Sequence, residues 1–129
     1  MPTDSTLPPA EAIAFQDLLA FAAHGIASRV LGKTNGGSAT IFTFEKGQSL
    51  SEHTAPFDAL VFILEGEMTL TVGGEPIMAG AGTATRMPAN VPHALDANER
   101  TRMLLVMLRE PRDTAAAGEK IPLPRKREA

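Results

Sequence analysis

The 129-residue chain contains no cysteine, no tryptophan and no tyrosine. Without cysteine there is no disulfide framework, no thiol nucleophile and no cysteine-rich zinc site. A large excess of charge of one sign is also lacking, since the formal net charge is only -3. Its distribution is uneven. There are 6 basic and 11 acidic residues through Leu108, against 6 basic and 4 acidic in the last 21. A body of net −5 and a tail of net +2 present no continuous basic face to a nucleic-acid backbone. The short Arg125-Lys126-Arg127 run, next to Glu128, reads as a solvated terminus. Apolar runs fall far short of a membrane span, and the N-terminus lacks a basic start followed by an apolar core. These absences leave a soluble, cytoplasmic protein with no nucleic-acid or membrane partner as the expectation.

What is present is enough apolar residue for one domain with a hydrophobic core. Residues 1–7 are polar and read as disordered. Pro8 and Pro9 suit the first turn of a helix, and Phe15, Leu18, Leu19 and Ala22 share one helical face by spacing. Gly25 suits its end, so a helix is expected over 8–24, with His24 as a surface or capping side chain. From Ile26 the period changes to two. Strands are expected at Ile26–Lys33, Ala39–Glu45, Asp58–Leu64, Met68–Val72, Glu75–Met78, Thr83–Met87, His93–Ala97 and Arg102–Leu108. Asn35-Gly36-Gly37 and Gly73-Gly74 mark turns between neighbours. Short strands at such spacing argue for an all-β antiparallel sandwich or barrel over 26–110, with the helix packed outside. Residues 111–129, rich in alanine, proline and charge, read as a flexible tail.

Two histidines sit in frames punctuated by glycine and proline. The first runs Gly47-Gln-Ser-Leu-Ser-Glu-His53-Thr-Ala55-Pro-Phe-Asp-Ala59 and on through an apolar strand to Gly66. The second runs Gly82-Thr-Ala-Thr-Arg-Met-Pro88-Ala-Asn-Val-Pro-His93. Both frames resemble the two motifs of the cupin superfamily, and the resemblance spans about Arg29 to Leu108. It implies a double-stranded β-helix, the cupin jelly-roll barrel. In that family the first motif supplies two histidines and a glutamate as metal ligands, and the second supplies one more histidine. Carried over here, His53 and His93 fill ligand positions, Ala55 stands at the second histidine and Ala59 at the glutamate. Asn90 replaces a glycine of the second frame, and Ala97 with Asn98 lie near an expected asparagine.

Residues of equal parity share a strand face. His53, Ala55, Ala59, Val61 and Ile63 have equal parity, so an inward His53 brings the two alanines inward with it. The expected site is an apolar pocket lined by His53, Ala55, Ala59 and Val61, with His93 arriving across the barrel. A catalytic metal usually has three protein ligands, and the sequence offers His53 and His93. Asp58 and Glu52 have the wrong parity for a third, and Met87 or Met103 would be a soft thioether. A lone interior histidine can also just bond a backbone carbonyl and stay neutral. Gly73-Gly74 and Gly80-Ala-Gly82 lack the strand-to-helix setting of a phosphate loop, and no serine-centred elbow supports a hydrolase triad.

Three functions follow as alternatives. One is a binder of a small, largely apolar molecule with one polar group. A second, whose types the resemblance implies, is a metal-dependent enzyme of dioxygenase, isomerase or decarboxylase type, with iron, manganese, nickel or zinc on His53 and His93. The third is a metal-free enzyme with one histidine as general base, for which Glu52, Asp58 and Asp96 are the nearby carboxylates. Residues Ala59–Leu64 are apolar on both faces, so the outer face with Leu60, Phe62 and Leu64 needs a cover. The N-terminal helix and a second subunit are the candidates, and the resemblance favours a homodimer.

Overall fold

The computed structural model describes residues 5–109. Nine strands form two antiparallel sheets: β1 (Ile26–Thr34), β2 (Gly37–Phe44), β3 (Ser49–His53), β4 (Asp58–Glu65), β5 (Glu67–Val72), β6 (Glu75–Gly80), β7 (Ala84–Met87), β8 (His93–Ala97) and β9 (Thr101–Leu108). The first sheet has the order β1-β2-β9-β4-β7 and the second β3-β8-β5-β6. Strands next to each other in sequence thus often lie in different sheets, as in a jelly-roll barrel. Eight of these strands correspond to expected ones, within a few residues at their ends. The exception is β3, which shows no apolar alternation and lies at a sheet edge.

The core fills the space between the sheets. From the first sheet come Phe44, Ala59, Val61, Ile63, Met87 and Met103, and from the second Met68, Leu70, Ala79, Leu95 and Ala97. Strand parity supplies the pattern: Ala59, Val61 and Ile63 are buried, while Leu60, Phe62 and Leu64 on the opposite face are partly buried. Each fully buried aliphatic side chain contributes roughly 1.5–3 kcal/mol, so this inward row is a large part of what holds the sheets together. Between β5 and β6, Gly73 and Gly74 both have positive φ, 60° and 86°, as a two-residue hairpin turn with the native strand twist requires. Gly66 has φ 91° and lies so close to β9 that an added Cβ would stand 2.7 Å from Thr101 Cα.

The N-terminal segment corrects two expectations. Residues 8–24 form no α-helix, only a single 3-10 turn at Phe15–Asp17. The reason is non-local. Arg29 Nη1 donates to the Leu18 carbonyl at 2.8 Å, Arg102 Nη1 to Leu19 at 2.6 Å and Thr43 Oγ1 to Ala20 at 3.1 Å. Those carbonyls are held by the sheet, and Ala10 has φ 57°, outside the right-handed helical region. The chain runs instead as a strap over the outer face of the first sheet. Leu18 is buried there with Leu31 and Ile41, against Ile13, Leu19, Leu64 and Leu104. Phe15, expected on the same buried face, is 54% exposed. Of the residues expected to be disordered, 5–7 are tied to β1: Ser5 Oγ donates to the Val30 carbonyl, and the Leu7 N–H to that of Leu31. Residues 1–4 and the expected tail at 111–129 lie outside the described residues.

Candidate functional site

His53 ends β3 and His93 begins β8. The two are direct partners in the ladder between those strands. The expectation that His93 reaches His53 across the barrel is therefore corrected: they are neighbours on adjacent strands of one sheet. His93 continues the inward row of β8 with Leu95 and Ala97 and has Val72 of β5 on its other flank. It is 4% exposed. His53, on the edge strand, is exposed.

The rings meet edge to face, with centroids 4.3 Å apart and planes at 75°. Their Nε2 atoms are 3.1 Å apart. Each Nδ1 faces the carbonyl two residues back: His53 Nδ1 lies 2.7 Å from Ser51 O, and His93 Nδ1 3.2 Å from Val91 O. A carbonyl only accepts, so both Nδ1 atoms must carry the proton, which leaves both Nε2 atoms as acceptors. Two lone pairs at 3.1 Å repel unless something positive lies between them. Counting protons gives the same result. Three contacts need three ring protons, and two neutral imidazoles hold two. The complete arrangement therefore calls for one added positive charge, as a proton or a cation. Burial, and then the charge of His53, push the His93 pKa below its ordinary value, while its bond to the Val91 carbonyl opposes them.

The other expected site residues divide. Ala59 and Val61 lie in the packed core, facing Met87 and Thr85 of β7 in the ladder. Ala55 sits in the loop after β3, partly buried, and its carbonyl accepts from the Asn90 N–H at 2.7 Å. That bond joins the two sequence frames. Asn90 has φ 63°, a left-handed conformation that asparagine tolerates better than most residues, so its replacement of glycine preserves the backbone. Asp58 is occupied elsewhere. Its Oδ1 accepts from the Ala89 N–H at 2.8 Å and its Oδ2 pairs with Arg86 at 3.5 Å. Asp58 thus holds the turn before His93, a role the parity argument did not reveal. Met87 and Met103 are core residues, and Glu52 and Asp96 are exposed.

The donor set limits what metal the site can hold. Among the described residues no group of three or more His, Cys, Asp or Glu gathers. The Nε2 separation suits two ligands of one ion, since metal–nitrogen bonds of about 2.0–2.1 Å place adjacent nitrogens roughly 3 Å apart. The pair therefore fits as half of a metal's ligands. The rest of the sphere would fall to water or a bound molecule.

Fold and site together define a small jelly-roll barrel with paired histidines near one end of its second sheet. Residues 40–108, more than half of the chain, match the cupin domain family, and the chain belongs to that family. Among solved structures it is similar to a conserved protein of unknown function from Streptococcus pyogenes. The two are 31% identical, with 86% of this chain and 97% of that one covered and a TM-score of 0.79. A cupin 2 conserved barrel domain protein from Leptotrichia buccalis is 36% identical over 72% of this chain, with a TM-score of 0.69; this chain covers 45% of its length. A cupin superfamily protein from Desulfitobacterium hafniense is 26% identical, with 81% and 96% of the two chains covered and a TM-score of 0.76. No curated protein matches.

Proposed function

We propose that this cupin is a small-molecule-binding protein whose polar anchor is the His53–His93 pair. The observation that carries the reading is the convergence of two Nε2 atoms, each ring oriented by its Nδ1 contact to a carbonyl. Such a pair, holding one positive charge, recognises an acidic or electron-rich group. Ala55, partly buried in the loop after β3, and Val72 beside His93 would supply apolar wall for a small, largely apolar molecule with one polar group, whereas Ala59 and Val61 are packed in the core. The test is a fragment screen on the full chain, repeated on His53→Ala and His93→Ala. Loss of affinity for the same fragments in both variants is expected. If neither change alters the affinity of any fragment, the histidines are structural and the reading fails.

The same convergence favours a second reading, in which the positive charge is a divalent iron, manganese, nickel or zinc ion. His53 and His93 would hold it, and it would supply Lewis-acid or redox chemistry to a molecule completing the sphere. Metal analysis of untagged protein decides. Content near zero, not recovered by adding any of the four metals, rejects it.

A homodimer is part of the proposal. The strap covers Leu64 with Leu104, whereas Leu60 and Phe62 are only partly buried and suit a second copy. Sedimentation should give twice the chain mass, and Phe62→Glu should give monomer. The cytoplasmic setting is also proposed: a chain without cysteine needs no oxidising compartment. Among the described residues no helix is long and apolar enough to cross a membrane.

A further inference from the structure

Between the N-terminal strap and the outer face of the first sheet lies a hollow of about 400 Å³. It is far from the histidine pair in the fold, since its floor is on β1, β2 and β9 and the histidines belong to the other sheet. The sequence explains why it is there. Gly32 and Ala39 are cross-strand partners, so two adjacent positions of this face carry almost no side chain. An added Cβ on Gly32 would meet nothing within 4 Å. Beside this bare floor, Leu31 and Leu104 form one apolar wall, and Ile13 and Leu18 of the strap form the other. Phe15 and Leu7, both largely exposed for their size, stand at the rim.

One lining residue is charged, Glu11. Among the described residues its carboxylate has no ion-pair partner. A hollow of this size is within the range of small-molecule sites, which are typically apolar with a few polar groups that fix orientation. The carboxylate sets the sign of the ligand's polar end. We propose that this hollow is a second binding site, for a molecule with a compact apolar body and a cationic amine head. The body takes the space above Gly32 and Ala39, and the ammonium faces Glu11. The strap is held down by side chains of the sheet through the carbonyls of Leu18 and Leu19, which gives the site a fixed roof on that side.

The test uses the full chain with cyclohexylamine and its uncharged analogue cyclohexanol, followed by amide chemical shifts. The amine is expected to shift amides within 11–18 and 31–39 and to leave those of His53 and His93 in place. It should bind about 5-fold more tightly than the alcohol, as a charge-assisted contact implies, and Glu11→Gln should abolish that preference. Gly32→Val and Ala39→Leu, which fill the hollow, should each weaken both probes about 10-fold or more. Glu11 is exposed, so its variant keeps the test open even if a filling variant does not fold. Absence of shifts at millimolar amine, equal affinity for amine and alcohol, or undiminished binding in a folded filling variant would overturn the proposal. Shifts confined to the histidine pair would do so as well.

Discussion

Replacing Arg102 by methionine should loosen the strap that covers the first sheet. The Arg102 side chain is 5% exposed. It donates to the Leu19 carbonyl at 2.6 Å and to Glu65 Oε1 at 3.1 Å, and it lies 4.7 Å from the centre of the Phe21 ring. Methionine keeps most of the buried stem and removes the guanidinium, leaving the Leu19 carbonyl without its partner. A hydrogen bond from a charged group contributes about 1.5–3 kcal/mol, and the contact with Phe21 about 0.5–1 kcal/mol. Arg100 also lies against Phe21, at 4.3 Å, and retains part of that contact. The expected loss is about 2–3 kcal/mol, or a fall in Tm of roughly 10 °C for a domain near 100 residues. Glu65, half exposed, contributes little to the ion pair in water, so Glu65→Gln should cost less than about 1 kcal/mol. Urea unfolding of both variants, with hydrogen exchange at Leu18 and Leu19, checks the account. A loss in Glu65→Gln equal to that in Arg102→Met would refute it, because the ion pair and not the strap carbonyl would then hold the arginine.

Stability should fall in mild acid because of His93. Its folded pKa is depressed by burial and by the neighbouring His53, so the folded state binds fewer protons than the unfolded one below about pH 6.5. The stability it contributes is present above that pH and is lost as pH falls through the lowered folded value; urea titrations of the wild type and His93→Gln should converge in acid. Gly66→Ala should cost more than about 2 kcal/mol, combining a clash with Thr101 and a positive φ, measured as a lower urea midpoint at constant slope. Ala59→Glu, which restores a family ligand position, should destabilise the metal-free protein by about 2 kcal/mol or more, since the carboxylate enters the core beside Met87 and Met107. Added zinc should restore part of that loss in a thermal scan, and a variant as stable as the parent without metal would contradict the packing described.

The strands were legible wherever β-branched and aromatic residues recur with a period of two between turn signals. In β2, Phe42 and Phe44 face the space between the sheets while Ile41 and Thr43 face the strap, and alternation shows both sets. The sequence hid β3, whose residues are exposed except for a partly buried Leu50, and which exists because β8 pairs with it. The strap is hidden from local pattern because Phe15, Leu18, Leu19 and Ala22 are spaced as a helical face. What keeps them from being one is hydrogen bonding to Arg29, Thr43 and Arg102, which no local pattern encodes. The frames around His53 and His93 pointed to one site. That the two sit on adjacent strands depends on sheet order, and their shared use of the carbonyl two residues back depends on local backbone geometry. Neither is readable from spacing.

The central claim, that both Nε2 atoms converge on one positive charge, is tested most directly by nitrogen-15 NMR of the imidazole rings during a zinc titration. The account predicts that both rings carry their proton on Nδ1 and that both Nε2 resonances move together as zinc is added. A response of one ring alone, or an Nδ1 without its proton in either ring, would contradict it.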